Sequence, residues 1–261
     1  MPRVGLEPEL SVIVLCYQAG EVARNVVLPL YEELEGQPDS YELILVANHW
    51  DGFDSTPAVA ADLARSRETI RVVAARKQGA MGWDMRSGLR AARGSYLVVI
   101  DGDGQVPVRY AVDVYGALKR SGAAVVKGRR YVREDGSVRS LTSLGYNLIF
   151  RLMFGTRGLW DINGRPKGLT RAAYERLGLS TDDWFTDAEM LLKARQQRMR
   201  IVEIPVRFLR NEVRDSFVGV DTVWEFLRNM VQWRLGRHPA LRTHGVDLGS
   251  PVRPAREKSL L

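Results

Sequence analysis

Asp101-Gly102-Asp103-Gly104-Gln105 follows directly on the apolar run Tyr96-Leu97-Val98-Val99-Ile100, so two carboxylates and an amide project from the carboxyl end of an expected buried strand. That end of an open α/β sheet is where ligands bind. Carboxylate and amide oxygens are hard donors that suit Mg²⁺ or Mn²⁺, and an ion held by Asp101, Asp103 and Gln105 can bridge to the phosphates of a nucleotide. The plainer reading is a tight turn, since Asp and Gly both serve turn geometry. Two acids spaced i, i+2 repel each other unless a cation or a proton relieves them, which favours the ion. An EF-hand is excluded, because its sixth position needs glycine and its twelfth glutamate, whereas Val106 and Val112 stand there.

Several elements must position this loop. β-rich runs near 10–16, 42–47, 70–74, 95–101 and 123–128 alternate with helical patterns. The alternation predicts an α/β fold of βαβ units around a mostly parallel sheet, with helices on both faces. Pro57 and Pro107 follow residues suited to a helix start, and Gly94 is expected to close a helix over 82–93. Past residue 130 the pattern changes. Arg133-Glu134-Asp135-Gly136-Ser137 reads as a loop, and 138–154 as a helix with Leu141, Leu144, Leu148 and Leu152 at helical spacing, flanked by Arg139 and Arg151. A helix over 185–198 and a strand from Arg200 to Val206, ended by Pro205, follow. C-terminal to them, 220–236 is an amphipathic helix with Val220, Trp224, Leu227 and Val231 on one face. The divisions are a catalytic domain over 1–218, an amphipathic helix over 219–236, and a flexible basic tail over 237–261.

Composition bounds the partners. A chain of 261 residues, 45% hydrophobic and 26% charged, builds an ordinary globular core. The net charge of +7 is mixed with acids until the last quarter, which argues against a nucleic-acid arm and leaves phosphate-bearing substrates or an anionic membrane face as partners. Cys16 is the sole cysteine, so no internal disulfide or cysteine cluster forms, consistent with a cytoplasmic location. No stretch approaches the roughly 20 apolar residues of a membrane span, so a soluble protein, or one peripheral on the inner face of the cell membrane, is expected. His49, His238 and His244 lack metal-ligand spacing and are expected on the surface or in loops. His49-Trp50 reads as a packed loop tip, or as the border of a nucleotide pocket.

Ordered motifs carry a family resemblance over roughly 10–218. Gly88-Leu89, Ala92, Gly94 and Asp101-Gly102-Asp103-Gly104-Gln105-Val106-Pro107 are followed by Gly128-Arg129-Arg130-Tyr131, then Asp161 to Lys167, then Asp187-Ala188-Glu189. This order resembles family 2 glycosyltransferases of the GT-A fold, and within them the polyprenyl-phosphate (dolichol-phosphate) sugar synthases. The resemblance implies a metal-dependent, inverting transfer of a sugar from a nucleotide-diphosphate donor to a polyprenyl phosphate or other lipid acceptor. The chain departs from the pattern at Leu15-Cys16-Tyr17-Gln18-Ala19 and at Val46-Ala47-Asn48-His49-Trp50, where neutral Asn48 replaces the acid that reads the base, and at Gly164-Arg165-Pro166.

With the resemblance, Asp101, Asp103 and Gln105 are the metal residues. Tyr17, Asn48, Asp101, Gln105, Arg129, Arg130, Lys167 and Glu189 are candidates for substrate binding, and Asp103 and Asp187 for catalysis. Arginine suits such a site because guanidinium neutralises phosphate bidentately. Asp187 and Glu189 lie roughly 200° apart around a helix, so one of them is structural. Thr186 and Glu189 fit a capping box, which makes Asp187 the acceptor-side candidate. The alternatives are a haloacid-dehalogenase-like phosphatase, whose nucleophile and acid are also Asp-x-Asp after a strand, and a non-catalytic protein that binds nucleotide sugars.

Overall fold

The computed structural model describes residues 7–50, 54–133, 137–156, 158–210 and 220–242. Strands β1 (Leu10–Leu15), β2 (Tyr41–Val46), β3 (Ile70–Val73) and β4 (Tyr96–Asp101) are mutually parallel and alternate with helices α1 (Val22–Glu35), α2 (Thr56–Arg65) and α3 (Met81–Ala91). All six residues of β1 are buried, as are the four central residues of β4. Burial on both faces is why these strands read as continuous apolar runs rather than alternating ones. After α4 (Arg109–Ser121) come β5 (Val125–Arg133), α5 (Ser137–Phe154), β6 (Lys167–Thr170), α6 (Arg171–Leu177), α7 (Thr186–Gln196), β7 (Ile201–Phe208) and α8 (Val220–Arg234).

One seven-stranded sheet results, in the order β3-β2-β1-β4-β6-β5-β7. Side chains of α1, α2 and α4 pack on one face, and those of α3, α6, α7 and α8, with Phe150 of α5, on the other. β6 was not legible in the sequence. Its four residues run antiparallel between β4 and β5, and four residues are too few to show a periodicity. β7 continues to Phe208 instead of stopping at Pro205. It is one of the sheet's two edge strands, where a missing N–H is tolerated. Gly94 does not terminate α3 by a left-handed turn. It lies against β1, its N–H donating to Ser11 Oγ at 2.7 Å, and a Cβ there would fall 2.6 Å from the Ser11 nitrogen.

The leucines of α5 keep their helical spacing but point outward: Leu141, Leu144, Leu148 and Leu152 are 71%, 65%, 52% and 76% exposed. The inward face of α8 is Phe226, Met230 and Trp233; of the expected stripe, Leu227 packs partly against that core while Trp224 and Val231 lie on the outer side. At 237–242 the chain is folded, with His238 and Ala240 buried, so the expectations of a loose tail and a surface histidine do not hold there. Residues 243–261, including His244, lie outside the described residues, as do most of the turn residues at 133–137.

Two glycines set the loop that matters most to the site. A Cβ on Gly128 would lie 2.1 Å from the Arg165 carbonyl oxygen, and one on Gly164 would lie 2.1 Å from the Gly128 carbonyl oxygen. Only the absence of side chains at both positions lets 161–167 press against β5, and that contact carries Arg165 beneath the end of β4.

Candidate active site

Asp101 ends β4 with its side chain 30% exposed. Asp103 follows in a turn in which its Oδ1 accepts the Gln105 backbone N–H at 3.1 Å, while Gly104 takes the left-handed conformation at φ 74°. Gln105, expected as a metal ligand, is buried. Its Nε2 donates to the Leu209 carbonyl at 3.1 Å, and its backbone carbonyl accepts the Leu209 N–H at 2.8 Å. These two bonds tie the loop to the chain just past β7.

Behind Asp101 runs a chain of alternating buried charges. Arg165 Nε approaches Asp101 Oδ1 at 3.4 Å, and its Nη1 donates to Asp187 Oδ1 at 2.8 Å. Lys167 Nζ reaches that same Asp187 oxygen at 2.8 Å and the Ile162 carbonyl at 2.9 Å. Lys167 is fully enclosed and Asp187 is 2% exposed. Burial alone would raise the Asp187 carboxyl, but Arg165 and Lys167 outweigh it and hold it below its ordinary value. A carboxyl held in this way is a weak base. Its geometry is that of an anchor for two cations.

Burial brings the Lys167 ammonium down to about 7, against the pull of Asp187 and with the repulsion of Arg165 and Lys127. The folded protein releases this proton near 7, and the unfolded chain holds it to about 10.4. Between these values the unfolded state binds more protons, so this residue makes stability rise with pH. Chemical denaturation at pH 7, 8 and 9 is expected to show the rise in the wild type and a flatter profile in Lys167→Met. Equal slopes in the two would refute the assignment.

The two neighbouring arginines divide. Arg130 forms a bidentate pair with Asp161, through Nε at 2.7 Å and Nη2 at 2.6 Å. Burial opposes ionisation of Asp161, yet Arg130 holds the carboxyl well below the carboxylate range. Arg129 is exposed, and its guanidinium stacks 4.8 Å from the Trp160 ring centre, with Arg151 of α5 at 4.1 Å from the same ring. Of the pair expected to meet phosphate, Arg129 is the one that reaches the surface, and Arg130 is committed to framework.

On the donor side, Asn48 is fully buried. Its Oδ1 accepts the Ala75 N–H at 3.0 Å, and its Nδ2 donates to Asp84 Oδ1 at 2.9 Å. With the amide bonded at both ends, Asn48 ties the segment after β3 to α3. Asp84, on α3, in turn pairs with buried Lys77, and the Lys77 ammonium sits 4.0 Å from the centre of the Tyr17 ring. Burial draws both partners toward neutrality, raising Asp84 and lowering Lys77, against their mutual attraction. Sequence reading missed this pair and Arg165. The available signal for Asp84 was a carboxylate on a helix face otherwise made of Gly82, Met85, Gly88 and Leu89, all buried.

Glu189, expected at substrate, is fully buried. Its carboxylate accepts the backbone N–H and hydroxyl of Ser180 and of Thr181 and pairs with Lys193 at 2.7 Å. No capping box forms, because α7 begins after Phe185 and the Glu189 side chain reaches the 180–181 loop. The expected divergence of Asp187 and Glu189 around the helix does hold.

Among the described residues no group of three or more His, Cys, Asp or Glu side chains could enclose a metal. The donor set still fits a hard divalent ion of the open kind. Such ions take one or two carboxylates and complete their shell with water and substrate phosphate oxygens, and Asp101 and Asp103 share one loop with Asp101 partly open to solvent.

An α/β sheet of this order, with a paired-carboxylate loop at the end of β4, has the GT-A type of architecture. The chain belongs to glycosyltransferase family 2: residues 11–178, more than half of its length, match the family described as Glycosyl transferase family 2. Membership sets aside the phosphatase reading of the Asp-x-Asp loop. The chain is 29% identical over 206 residues to glycosyltransferase AglD of Haloferax volcanii, covering 76% of this chain and 32% of that protein. It is 26% identical over 231 residues to dolichol-phosphate mannosyltransferase of Pyrococcus furiosus, covering 85% and 62%. A dolichyl-phosphate beta-glucosyltransferase of Trichomonas vaginalis is 26% identical over 175 residues, 62% of this chain and 53% of that protein. The chain thus spans less than two thirds of the length of these relatives. Glucosyl-3-phosphoglycerate synthase of Mycobacterium tuberculosis, solved with Mn²⁺, UDP and phosphoglyceric acid, shares the fold at TM-score 0.65 and 15% identity, covering 88% of this chain and 78% of that one.

Proposed function

We propose that this chain transfers a sugar from a nucleotide-diphosphate sugar to a polyprenyl phosphate, or another lipid acceptor, at the cytoplasmic face of an anionic membrane. Asp101 and Asp103 would hold Mg²⁺ or Mn²⁺ against the donor's diphosphate. That ion supplies Lewis-acid stabilisation of the departing diphosphate. The observation that carries the acceptor class is the locked state of Asp187, pinned by Arg165 and Lys167. A hydroxyl acceptor needs a carboxylate base with an accessible, basic oxygen. A phosphate monoester has its second pKa near ~6 and arrives largely ionised, so it needs nearby positive charge more than a base. Arg129 supplies the exposed positive charge on that side, and in-line attack inverts the anomeric centre. Relatives named for dolichyl-phosphate and dolichol-phosphate transfer support the same acceptor class.

No helix among the described residues is long and apolar enough to cross a membrane. The outward leucines of α5 and exposed Trp224, Val231 and Leu235 of the α8 region instead suit an interfacial docking face, with Arg151, Arg228 and Arg234 positioned for anionic headgroups. Incubation with a panel of nucleotide sugars, Mn²⁺ and membrane lipid extract is expected to carry radiolabel into the organic phase. Labelling confined to soluble products would overturn the lipid acceptor. Leu144→Asp/Leu148→Asp is expected to weaken binding to anionic vesicles by about tenfold or more, since each substitution removes burial of a full apolar side chain. Unchanged flotation with vesicles would refute the docking face.

A further inference from the structure

We infer that Arg165 is an internal counter-cation of Asp101, which opposes binding of the divalent ion until the donor's diphosphate arrives with it. The inference rests on the metal role of Asp101 and Asp103 proposed above and assigns this chain's own arginine a positioning role there. Arg165 is 4% exposed, and its three guanidinium nitrogens are unequally held. Nη1 has a short bond to Asp187 at 2.8 Å, Nη2 faces the thioether of Met81 at 3.0 Å, and Nε lies 3.4 Å from Asp101. Charge-assisted bonds of full strength run at about 2.7–2.9 Å, so the Asp101 end is the weak one. It is the end that can be surrendered to an ion while the Asp187 end stays fixed.

The guanidinium cannot retreat. Its backbone is wedged against β5 by the Gly128 and Gly164 contacts, and swinging out would leave Asp187 with Lys167 alone. An ion on Asp101 therefore enters the field of a fixed positive charge, and that repulsion is relieved when a diphosphate adds negative charge to the same place. Arg165 also provides the hydrogen-bonded path from the donor carboxylate to Asp187 on α7, so exchange of Asp101 from arginine to ion is felt at Asp187.

Mn²⁺ binding to the full chain, followed by the electron paramagnetic resonance signal of free Mn²⁺, tests this without reference to turnover. Arg165→Gln is expected to bind Mn²⁺ about tenfold more tightly than wild type, and Arg165→Lys to stay near wild type, because the charge is what opposes the ion. With the preformed Mn²⁺–pyrophosphate complex as probe, the gap between Arg165→Gln and wild type is expected to close. A purely structural arginine would not produce tighter binding on removal. Asp187→Asn, which leaves Asp101 as the guanidinium's remaining carboxylate, is expected to weaken Mn²⁺ binding about threefold. The inference is overturned if Arg165→Gln binds Mn²⁺ no more tightly than wild type while Asp103→Ala abolishes binding, or if Asp187→Asn matches wild type. It is equally overturned if the gap persists with the pyrophosphate complex. Should no variant bind Mn²⁺ with or without pyrophosphate, the metal reading itself fails and takes the inference with it.

Discussion

Asp103→Ala is expected to reduce sugar transfer by about 10³-fold or more, or ~4 kcal/mol of transition-state stabilisation. The carboxylate stands in the turn two residues after Asp101, where the proposed function needs the charge of a departing diphosphate to be met. Its Oδ1 also accepts the Gln105 N–H, so alanine removes a charge and a turn contact together. Asp103→Asn separates the two, keeping an acceptor for that N–H while removing the charge. If charge decides, both variants lose transfer to a similar depth, and both retain the wild-type melting temperature within a few degrees. Release of nucleoside diphosphate measures the first quantity and thermal unfolding the second. Turnover above about a tenth of wild type in either variant would contradict the assigned role.

Asp187→Asn should act on stability first. The substitution leaves Arg165 and Lys167 buried, both within 2.8 Å of the oxygen whose charge compensated them. Breaking a buried pair in this way costs about 3–5 kcal/mol, a large share of the 5–15 kcal/mol typical of a folded domain. At about 2–4 °C per kcal/mol for a chain of this size, the melting temperature falls by roughly 10 °C. Lys167→Met in the same chain removes a buried amine that has lost its partner and is expected to recover part of the loss, a coupling that a double-mutant cycle reads directly. Folded Asp187→Asn should keep the acid limb of the wild-type pH–rate profile, because a carboxyl held below its ordinary value does not titrate as the base. Loss of that limb would return Asp187 to the role of general base and favour a hydroxyl acceptor.

Much of the framework was legible because it is written in local pattern. β1, β2 and β4 are buried on both faces, so their residues are apolar without interruption, and the turn residues after each strand mark where the sheet ends. The Asp101–Gln105 loop was visible for the same reason, since a strand end and its turn are contiguous in the chain. β6 was not visible, because it owes its existence to a vacancy between β4 and β5 rather than to any preference of its four residues. The faces of α5 and α8 were visible as stripes, but which stripe looks inward depends on what lies across from it. Phe226, Met230 and Trp233 pack in the core on the α7 side of the sheet, and the leucines of α5 stay more than half exposed.

The site divides along the same line. Asp101 and Asp103 stand out by type and spacing, whereas it is burial that sets Asn48, Gln105 and Glu189 beneath the surface, bonded to their own framework. Arg165 stands 64 residues from Asp101 and 22 from Asp187, and nothing in its immediate sequence announces a partner. The amino-acid sequence by itself determined the α/β architecture, the family and the position of the paired carboxylates, because periodicity and contiguous motifs are local properties of a chain. Only the tertiary structure decided which charges meet. Electrostatic energy depends on distance through space and on exclusion of water, and both are set when loop 161–167 is pressed between glycines against β5 and helix α7 closes over it.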